Sequence, residues 1–219
     1  MDLDPDEAAL MYLGYSGVIL RTLAGVVAFD VADLLGGDEI KALKNLDLLL
    51  FTHGHGDHYK SRETIEILSE TDADIVAEPS LARELRGKVP SEKLTSAEPG
   101  KTYEIGEYEV KAIKGIHRGP INLYQVKMGE HTVFHGGDSG YVPLKEYESD
   151  LALLPTGRPS PTASPRDALR MAQDLRPKVV LAIHGSSAQS REFEGVVKEK
   201  MAGTTILIPE PYRPEKVSL

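Results

Sequence analysis

Three histidines and an aspartate occur together in residues 52–58, which read Thr-His-Gly-His-Gly-Asp-His. Neutral imidazole and carboxylate groups are the usual protein ligands of zinc, manganese and iron. The two intervening glycines remove side chains from between these ligands and permit the backbone angles that a tight loop needs. Because Asp57 and His58 are consecutive, their side chains can point to different sides and serve two neighbouring metals. The pattern therefore predicts a metal site rather than a polar loop that happens to be rich in histidine.

The segments on either side of this cluster predict where it lies in the fold. Residues 47–52 form a largely apolar run, which is typical of a buried strand. Residues 61–68 have the pattern of a helix that begins with Ser61 as its N-cap. The cluster is therefore expected on the loop where a buried strand ends and a helix begins.

The order His-x-His-x-Asp-His after an apolar strand resembles the signature of the metallo-β-lactamase-fold hydrolases. That resemblance implies three further ligands downstream: a lone histidine, an aspartate in a Gly-Asp pair, and a last histidine. The sequence offers a residue for each place, in the right order and at the end of an apolar stretch, namely His117, Asp138 and His184. Taken singly, these histidines would be ordinary core residues, and only the complete set raises them to candidate ligands.

Within the family, the chain is similar to the small single-domain members that resemble ascorbate-6-phosphate lactonase. The similarity lies in the loop 52–58, in the Gly-Asp-Ser triplet 137–139 and in the run 162–171 before the next apolar strand. One departure is Tyr15, which stands where these relatives usually carry histidine in a Gly-His-Ser turn. Since this position is not a metal ligand in the family pattern, the departure bears on the shape of the pocket and not on the metal site.

The resemblance implies a binuclear site with seven ligands. One metal would be held by His53, His55 and His117 and the other by Asp57, His58 and His184, with Asp138 bridging the two. Zinc is the expected metal, with manganese or iron as alternatives. Two such ions can share a hydroxide that attacks an ester, lactone or phosphodiester. Asp57 is the candidate catalytic residue, since it could accept a proton from the attacking water or orient that water.

The remaining polar candidates carry weaker signals. His131 lies beside a predicted hairpin turn and is expected to be a solvated turn residue. His135 precedes Asp138 by three positions, and it either orients a ligand or packs within a strand. For substrate contacts, the weak candidates are Arg118, Tyr141, Arg158 and Ser186. The two arginines could grip a phosphate or carboxylate, or they are ordinary surface charges.

The composition excludes several classes of protein. Cysteine is absent from the 219 residues, which excludes disulfides, thiolate ligands and cysteine nucleophiles. The net charge of −9 argues against general binding to nucleic acid or anionic membranes. No apolar run is long enough for a membrane span, and the acidic start lacks the features of a signal peptide. We therefore expect a cytoplasmic enzyme with a small-molecule substrate and no nucleic-acid or membrane partner; a homo-oligomer is compatible with the sequence.

Strand and helix signals alternate in two successive halves of the chain. Pattern alone indicates an α/β (α+β) protein, and the length fits one domain over residues 1–219. The resemblance implies a four-layer αββα sandwich of two mixed β-sheets flanked by helices. Helices are predicted at 38–44, 61–69, 80–86, 164–175 and 190–201.

Two other functions remain open beside hydrolysis. One is a metal-bound redox protein of the diiron or persulfide dioxygenase type. Diiron relatives usually carry glutamate in place of the second loop histidine and have a flavin domain, whereas His55 is intact here and the chain has no room for that domain. The other is a metal-binding protein without catalysis, which a screen of hydrolytic substrates would distinguish from an enzyme.

Overall fold

Two β-sheets of seven strands each pack against one another in the computed structural model, which describes residues 1–219. The first sheet has, in spatial order, β14 (Pro214–Ser218), β1 (Glu7–Gly14), β2 (Gly17–Thr22), β3 (Gly25–Phe29), β4 (Leu48–Phe51), β5 (Asp74–Ala77) and β6 (Leu94–Ser96). The second has β13 (Thr205–Leu207), β12 (Val179–Ile183), β11 (Leu151–Pro155), β10 (His131–His135), β9 (Asn122–Met128), β8 (Tyr108–Lys114) and β7 (Thr102–Ile105). Each sheet is antiparallel over part of its width and parallel over the rest, so both are mixed.

Five α-helices cover the outer faces of the two sheets: α1 (Gly37–Ala42), α2 (Ser61–Glu70), α3 (Pro79–Leu85), α4 (Pro165–Leu175) and α5 (Ser187–Lys200). A short 3-10 helix lies at Ser91–Lys93. All five α-helices match predicted ones, with ends shifted by up to three residues. The predicted N-cap of α2 was wrong, because Lys60 has the extended backbone of the cap and Ser61 is already helical. None of these helices combines the length and the apolar character that crossing a bilayer requires.

Three apolar cores hold the four layers together and confirm the expected αββα order. The largest lies between the two sheets, and the other two lie between one sheet and its helices. Strand β4 shows how one run serves two cores, since Leu48 and Leu50 face the other sheet while Leu49 and Phe51 face the helices. Successive side chains of a strand point to opposite faces, so a strand buried on both faces is apolar throughout.

The carboxyl ends of several strands meet at one edge of the sandwich. In the second sheet, β8, β10, β11 and β12 all run in the same direction, so the loops that follow them emerge at the same edge. The end of β4 joins this edge from the first sheet, where the N–H of Asn122 donates to the carbonyl of Thr52 at 3.0 Å. The candidate ligands follow these strands, so the fold brings both halves of the sequence to one place.

Glu63 is a carboxyl group that helix α2 turns inward. Its side chain accepts a hydrogen bond from the N–H of Leu35 at 3.0 Å, whereas Oε2 has no partner. Burial raises the pKa of Glu63 to about 7, although the Leu35 N–H acts in the opposite direction. The residue therefore ties the segment before α1 to α2, and it does so at a cost that appears only when the carboxyl group ionises.

We predict that Glu63→Gln stabilises the protein at pH 8 and has little effect at pH 5. The unfolded carboxyl group ionises near 4.5 and the folded one near 7, so the free energy of unfolding of the wild type falls as the pH rises between these values. The fall is at most roughly 3 kcal/mol. Glutamine keeps an acceptor for Leu35 without this loss. Urea unfolding at both pH values measures the effect, with Glu66→Gln on the exposed face of α2 as control; equal differences at the two pH values would contradict it.

Candidate metal centre

The structure brings all seven predicted ligands together at the shared edge of the two sheets. Within each of two groups, the possible ligand atoms lie within 4.8 Å of one another. One group is His53, His55 and His117, and the other is Asp57, His58, Asp138 and His184. This is the division that the family resemblance implied, with Asp138 placed in the second group.

The first group is a cluster of three imidazoles that lie at different depths below the protein surface. The ring centroid of His53 lies 4.5 Å from that of His55 and 4.6 Å from that of His117. His55 Nδ1 and His117 Nε2 are 3.1 Å apart. His53 is buried and His55 is exposed, so the cluster runs from the protein interior to its surface. The outward nitrogen of His117, Nδ1, lies 2.7 Å from the carbonyl of Pro161, which fixes the orientation of that ring.

The second group is organised around the carboxylate of Asp138. Its Oδ1 lies 3.2 Å from His58 Nε2, and its Oδ2 lies 3.1 Å from His184 Nε2. Asp57 Oδ2 lies 3.3 Å from His184 Nε2 and 3.8 Å from His58 Nε2. Two carboxylates and two imidazoles therefore face a common point, and Asp57 is the most exposed member of the group.

The buried carboxylates of the centre need positive charge beside them. Asp30 and Asp138 are both buried, and their ion-pair partners are histidines, with no lysine or arginine among them. Burial by itself lowers the pKa of His58, but these two carboxylates raise it to about 10. Burial opposes the ionisation of Asp138, and the neighbouring His58 ring nevertheless lowers the pKa of Asp138 to about 2. Burial lowers the pKa of His53 to about 3, which leaves a neutral ring with a free lone pair.

Two buried ring nitrogens show that the residues fit metal ions. His53 Nε2 and His58 Nε2 have no hydrogen-bond partner. The opposite nitrogen of each ring is held, since His53 Nδ1 lies 3.1 Å from Thr52 Oγ1 and His58 Nδ1 lies 2.8 Å from Asp30 Oδ2. Metal-bound imidazoles usually have this arrangement, in which one nitrogen binds the ion and the other is fixed by a hydrogen bond. A divalent cation at each group would use the unpartnered nitrogens and offset the buried carboxylates.

Asp30 is a positioning residue that sequence reasoning missed. It follows strand β3 directly and accepts hydrogen bonds from the N–H of Thr52 at 2.8 Å and from the Thr52 hydroxyl at 2.6 Å. Its other contact is the ring of His58, so it fixes both the start of the ligand loop and one ligand. The available signal was an acidic residue immediately after an apolar strand, Val26 to Phe29, which is the same kind of place that the ligands occupy.

His135 and Ser16 form a second set of positioning contacts, around Asp138. His135 Nε2 lies 2.9 Å from the carbonyl of Ser16, and its Nδ1 accepts the N–H of Gly137 at 3.1 Å. The Ser16 hydroxyl in turn lies 3.3 Å from Asp138 Oδ1. Burial lowers the pKa of His135, so the ring is neutral and donates from Nε2. His135 is therefore a packed strand residue, as one of the two sequence interpretations had it, and its ring bonds to the backbone of Ser16 and Gly137 rather than to a candidate ligand.

Gly137 permits the close approach of the two ligand loops. Its φ is +51°, a left-handed conformation that favours glycine. A Cβ built on this residue would lie 3.0 Å from three side-chain atoms of Thr52. A larger residue would therefore push the Asp138 loop away from the loop that follows β4.

The four weak substrate candidates have different surroundings. Arg118 is exposed beside His117 and has no ion pair, whereas the exposed Arg158 lies 3.6 Å from Asp167. The ring of Tyr141 lies under the guanidinium of Arg170, and its hydroxyl points to Asp174, on the side of α4. Ser186 is the N-cap of α5 and accepts a hydrogen bond from Gln189.

The prediction for His131 was wrong. Its side chain is buried in β10, and Nε2 lies 2.7 Å from the carbonyl of Pro5. The hairpin turn is confined to the two residues before it, and the N-terminal segment covers the ring, which no local signal indicated.

Comparison with known proteins agrees with this fold. The beta-lactamase superfamily domain matches residues 31–185. A metal-dependent hydrolase of Pyrobaculum islandicum is 30% identical over 189 residues, which cover 80% of this chain and 83% of the relative. One of Methanopyrus kandleri is 28% identical over 187 residues, which cover 75% of this chain and 80% of the relative.

Solved structures with the same fold include enzymes of different chemistry. A metallo hydrolase from Ignicoccus hospitalis has a TM-score of 0.81 at 21% identity and covers 97% of this chain and 99% of its own. A diiron β-hydroxylase from Streptomyces venezuelae has a TM-score of 0.74 at 16% identity and covers all of this chain but 55% of its own. The relatives that match most of the chain are metal-dependent hydrolases, and this chain is classed with them. The chain belongs to the metallo-β-lactamase superfamily.

We predict that Asp30→Asn weakens metal binding by about 10- to 100-fold while the protein stays folded, because the amide cannot supply the negative charge that holds His58. Calorimetric titration with Zn²⁺ measures the change. Asp33→Asn removes the same charge from an exposed residue of the following segment and serves as control. Equal affinities for the two variants would rule out the positioning role of Asp30.

Proposed function

We propose that the chain is a binuclear zinc hydrolase that cleaves an ester, lactone or phosphodiester. The observation that carries the proposal is the arrangement of seven donors as two adjoining groups, linked by Asp138. The carboxylate of Asp138 faces His58 and His184 of the second group, and its carbonyl lies 3.1 Å from His117 Nδ1 of the first. Asp138 therefore lies beside both groups, and the ring centroids of His53 and His58, one from each group, are 4.1 Å apart. The bridging role of its carboxylate is proposed from the family resemblance.

The donor set supports zinc. Five of the seven donors are imidazoles and two are carboxylates, a combination that suits zinc better than magnesium or calcium, which prefer oxygen ligands. Two divalent ions bound here would lower the pKa of bound water and offset the negative charge that develops on a substrate oxygen. The protein fixes the orientation of the rings, because Thr52, Asp30 and Pro161 contact their Nδ1 atoms.

Asp57 is the residue proposed to handle the proton. Its side chain is 38% exposed, whereas that of Asp138 is 5% exposed, so Asp57 is the carboxylate of this group that solvent can reach. Its Oδ2 is close enough to His184 to be held in place and is still reachable from solvent. A carboxylate in this position can orient the attacking water and accept its proton as the bond to the substrate forms.

The fold alone does not separate hydrolysis from oxygen chemistry, since a diiron β-hydroxylase has the same fold. The metal therefore decides between the two. Iron as the metal bound after purification without chelators, together with no hydrolysis of any ester, lactone or phosphodiester, would favour the redox alternative. Metal without any turnover would favour a binding protein.

We predict that the wild type binds two zinc ions and that Asp138→Asn loses high affinity for both. Asparagine keeps the shape but removes the charge that offsets repulsion between two divalent ions. His117→Ala removes a donor of the first group alone and should mainly weaken one ion. Calorimetry and inductively coupled plasma mass spectrometry give the stoichiometries. Two ions held by Asp138→Asn at wild-type affinity would show that Asp138 is not the bridge.

We predict that His55→Ala abolishes nearly all hydrolysis while leaving the fold intact, because His55 is an exposed donor on a loop and has no role in the core. The assay uses 4-nitrophenyl acetate, a γ-lactone and bis(4-nitrophenyl) phosphate with zinc-loaded protein. Lys60→Ala, at an exposed position after the same loop, is the matched control. Wild-type rates in His55→Ala would exclude the proposed site.

A further inference from the structure

A cleft of about 350 Å³ opens beside His184, between the β1–β2 turn and the loops that follow β11 and β12. Its lining contains no lysine, arginine, aspartate or glutamate. The side chains that face it are two tyrosines, two serines, a glutamine and the ring of a candidate ligand: Tyr12, Tyr15, Ser160, Ser186, Gln189 and His184. The lining is therefore uncharged and combines aromatic surface with hydrogen-bonding groups, and the cleft adjoins the second group of the metal centre.

The β1–β2 turn holds Tyr15 at the mouth of this cleft. Tyr15 has a φ of +48°, a conformation that is unfavourable for a residue with a side chain and tends to occur at functional sites. Its carbonyl accepts hydrogen bonds from the N–H of His184 at 2.7 Å and from the hydroxyl of Tyr12 at 3.0 Å. The backbone of Tyr15 is thus fixed to the residue that carries a candidate ligand.

The side chain of Tyr15 has little contact with the rest of the chain. The residue is 54% exposed, and its ring centroid lies 6.0 Å from that of His184, with the planes tilted by 47°. Its hydroxyl has no hydrogen-bond partner, in contrast to that of Tyr12, which donates to the turn. The protein therefore presents an aromatic face and a free hydroxyl group from a backbone position that is fixed next to the metal centre.

His184 offers the cleft a hydrogen-bond donor. Its Nε2 faces Asp57 and Asp138, while its Nδ1 has no partner in the chain. The other three buried or half-buried candidate ligand histidines all have Nδ1 held by a protein group. A Cβ on Gly157 would lie 3.4 Å from His184 Nδ1 and would overlap the carbonyl of His184, so glycine keeps this side of the ring open.

We propose that this cleft binds an uncharged ring that carries hydroxyl groups, as part of the substrate, with Tyr15 as its stacking surface. The C–H face of such a ring packs on an aromatic face, and its hydroxyl groups can pair with the Tyr15 and Ser160 hydroxyls and with the Nδ1–H of His184. A phosphate or carboxylate would find no cation in the lining. The cleavage of an ester bond in this substrate rests on the proposed function, whereas the binding of the ring does not. Together the two proposals narrow the substrate class to esters of carbohydrate-like rings.

The test is saturation-transfer NMR on the zinc-loaded protein. The probes are methyl glycosides of glucose, galactose, mannose, xylose and ribose, together with methyl glucuronide, which has the glucose ring with a carboxylate. We expect saturation of ring protons in at least one neutral glycoside and a weaker signal for the charged analogue than for methyl glucoside. Tyr15→Ala should raise the Kd of the neutral probe by between about twofold and tenfold, the range that one aromatic contact contributes.

Tyr212→Ala is the matched control, since Tyr212 is 52% exposed with a φ of +61° and lies outside the lining. Tyr15→Phe should keep most of the affinity, and Ser160→Ala should lose part of it, so the assignment does not depend on how the turn tolerates alanine. No saturation of any neutral glycoside, or the same Kd in Tyr15→Ala as in the wild type, would overturn it.

Metal content measured on the same samples separates this proposal from the binuclear one. Tyr15→Ala should retain the zinc content of the wild type, because the substitution removes no donor. A wild type without zinc that still shows saturation dependent on Tyr15 would contradict the binuclear proposal and support the cleft. Zinc-dependent ester hydrolysis without glycoside binding would support the binuclear proposal and contradict the assignment of the cleft.

Discussion

The site depends on two buried carboxylates that have no lysine or arginine to pair with. Placing Asp30 and Asp138 inside the protein costs several kcal/mol for each ion unless opposite charge and hydrogen bonds compensate. Imidazole rings supply this compensation, and the ring of His58 contacts both carboxylates. An imidazole can compensate with a proton or can give its lone pair to a metal. Metal binding and loss of the proton are therefore linked, and the same groups that destabilise the empty site favour the loaded one.

This constraint explains why the loops of the two sheets are tied together by hydrogen bonds. His184 N–H donates to the carbonyl of Tyr15, Asn122 N–H donates to that of Thr52, and His135 holds the carbonyl of Ser16. Each bond joins a segment of one sheet to a segment of the other. A shift between the sheets would separate ligands that lie about 3 Å apart, so the centre needs rigid support more than it needs many contacts.

The candidate ligands that the structure brings together could be selected from the sequence, whereas most of the contacts that support them could not. The cluster at 52–58 is local, and the remaining ligands follow apolar strands, a pattern that a single chain displays. The contacts of Asp30 with His58 and of Ser16 with Asp138 join residues that are 28 and 122 positions apart. Nothing near either residue indicates its partner, because the contact exists only after both sheets have formed. The burial of His131 under Pro5 escaped prediction for the same reason.

The similarity to both a metallo hydrolase and a diiron β-hydroxylase shows what the scaffold leaves open. The sandwich places several loops at one edge and fixes the distance between them, but it does not determine which donors those loops carry or what lies beside them. In this chain, five of the seven candidate donors are imidazoles, whereas the residues beside them include side chains without a donor role. Tyr15 belongs to the second set, since it is held by the backbone of His184 and directs its side chain outward. Candidate donors and residues without a donor role thus lie on the same loops, so one set can change while the other is kept.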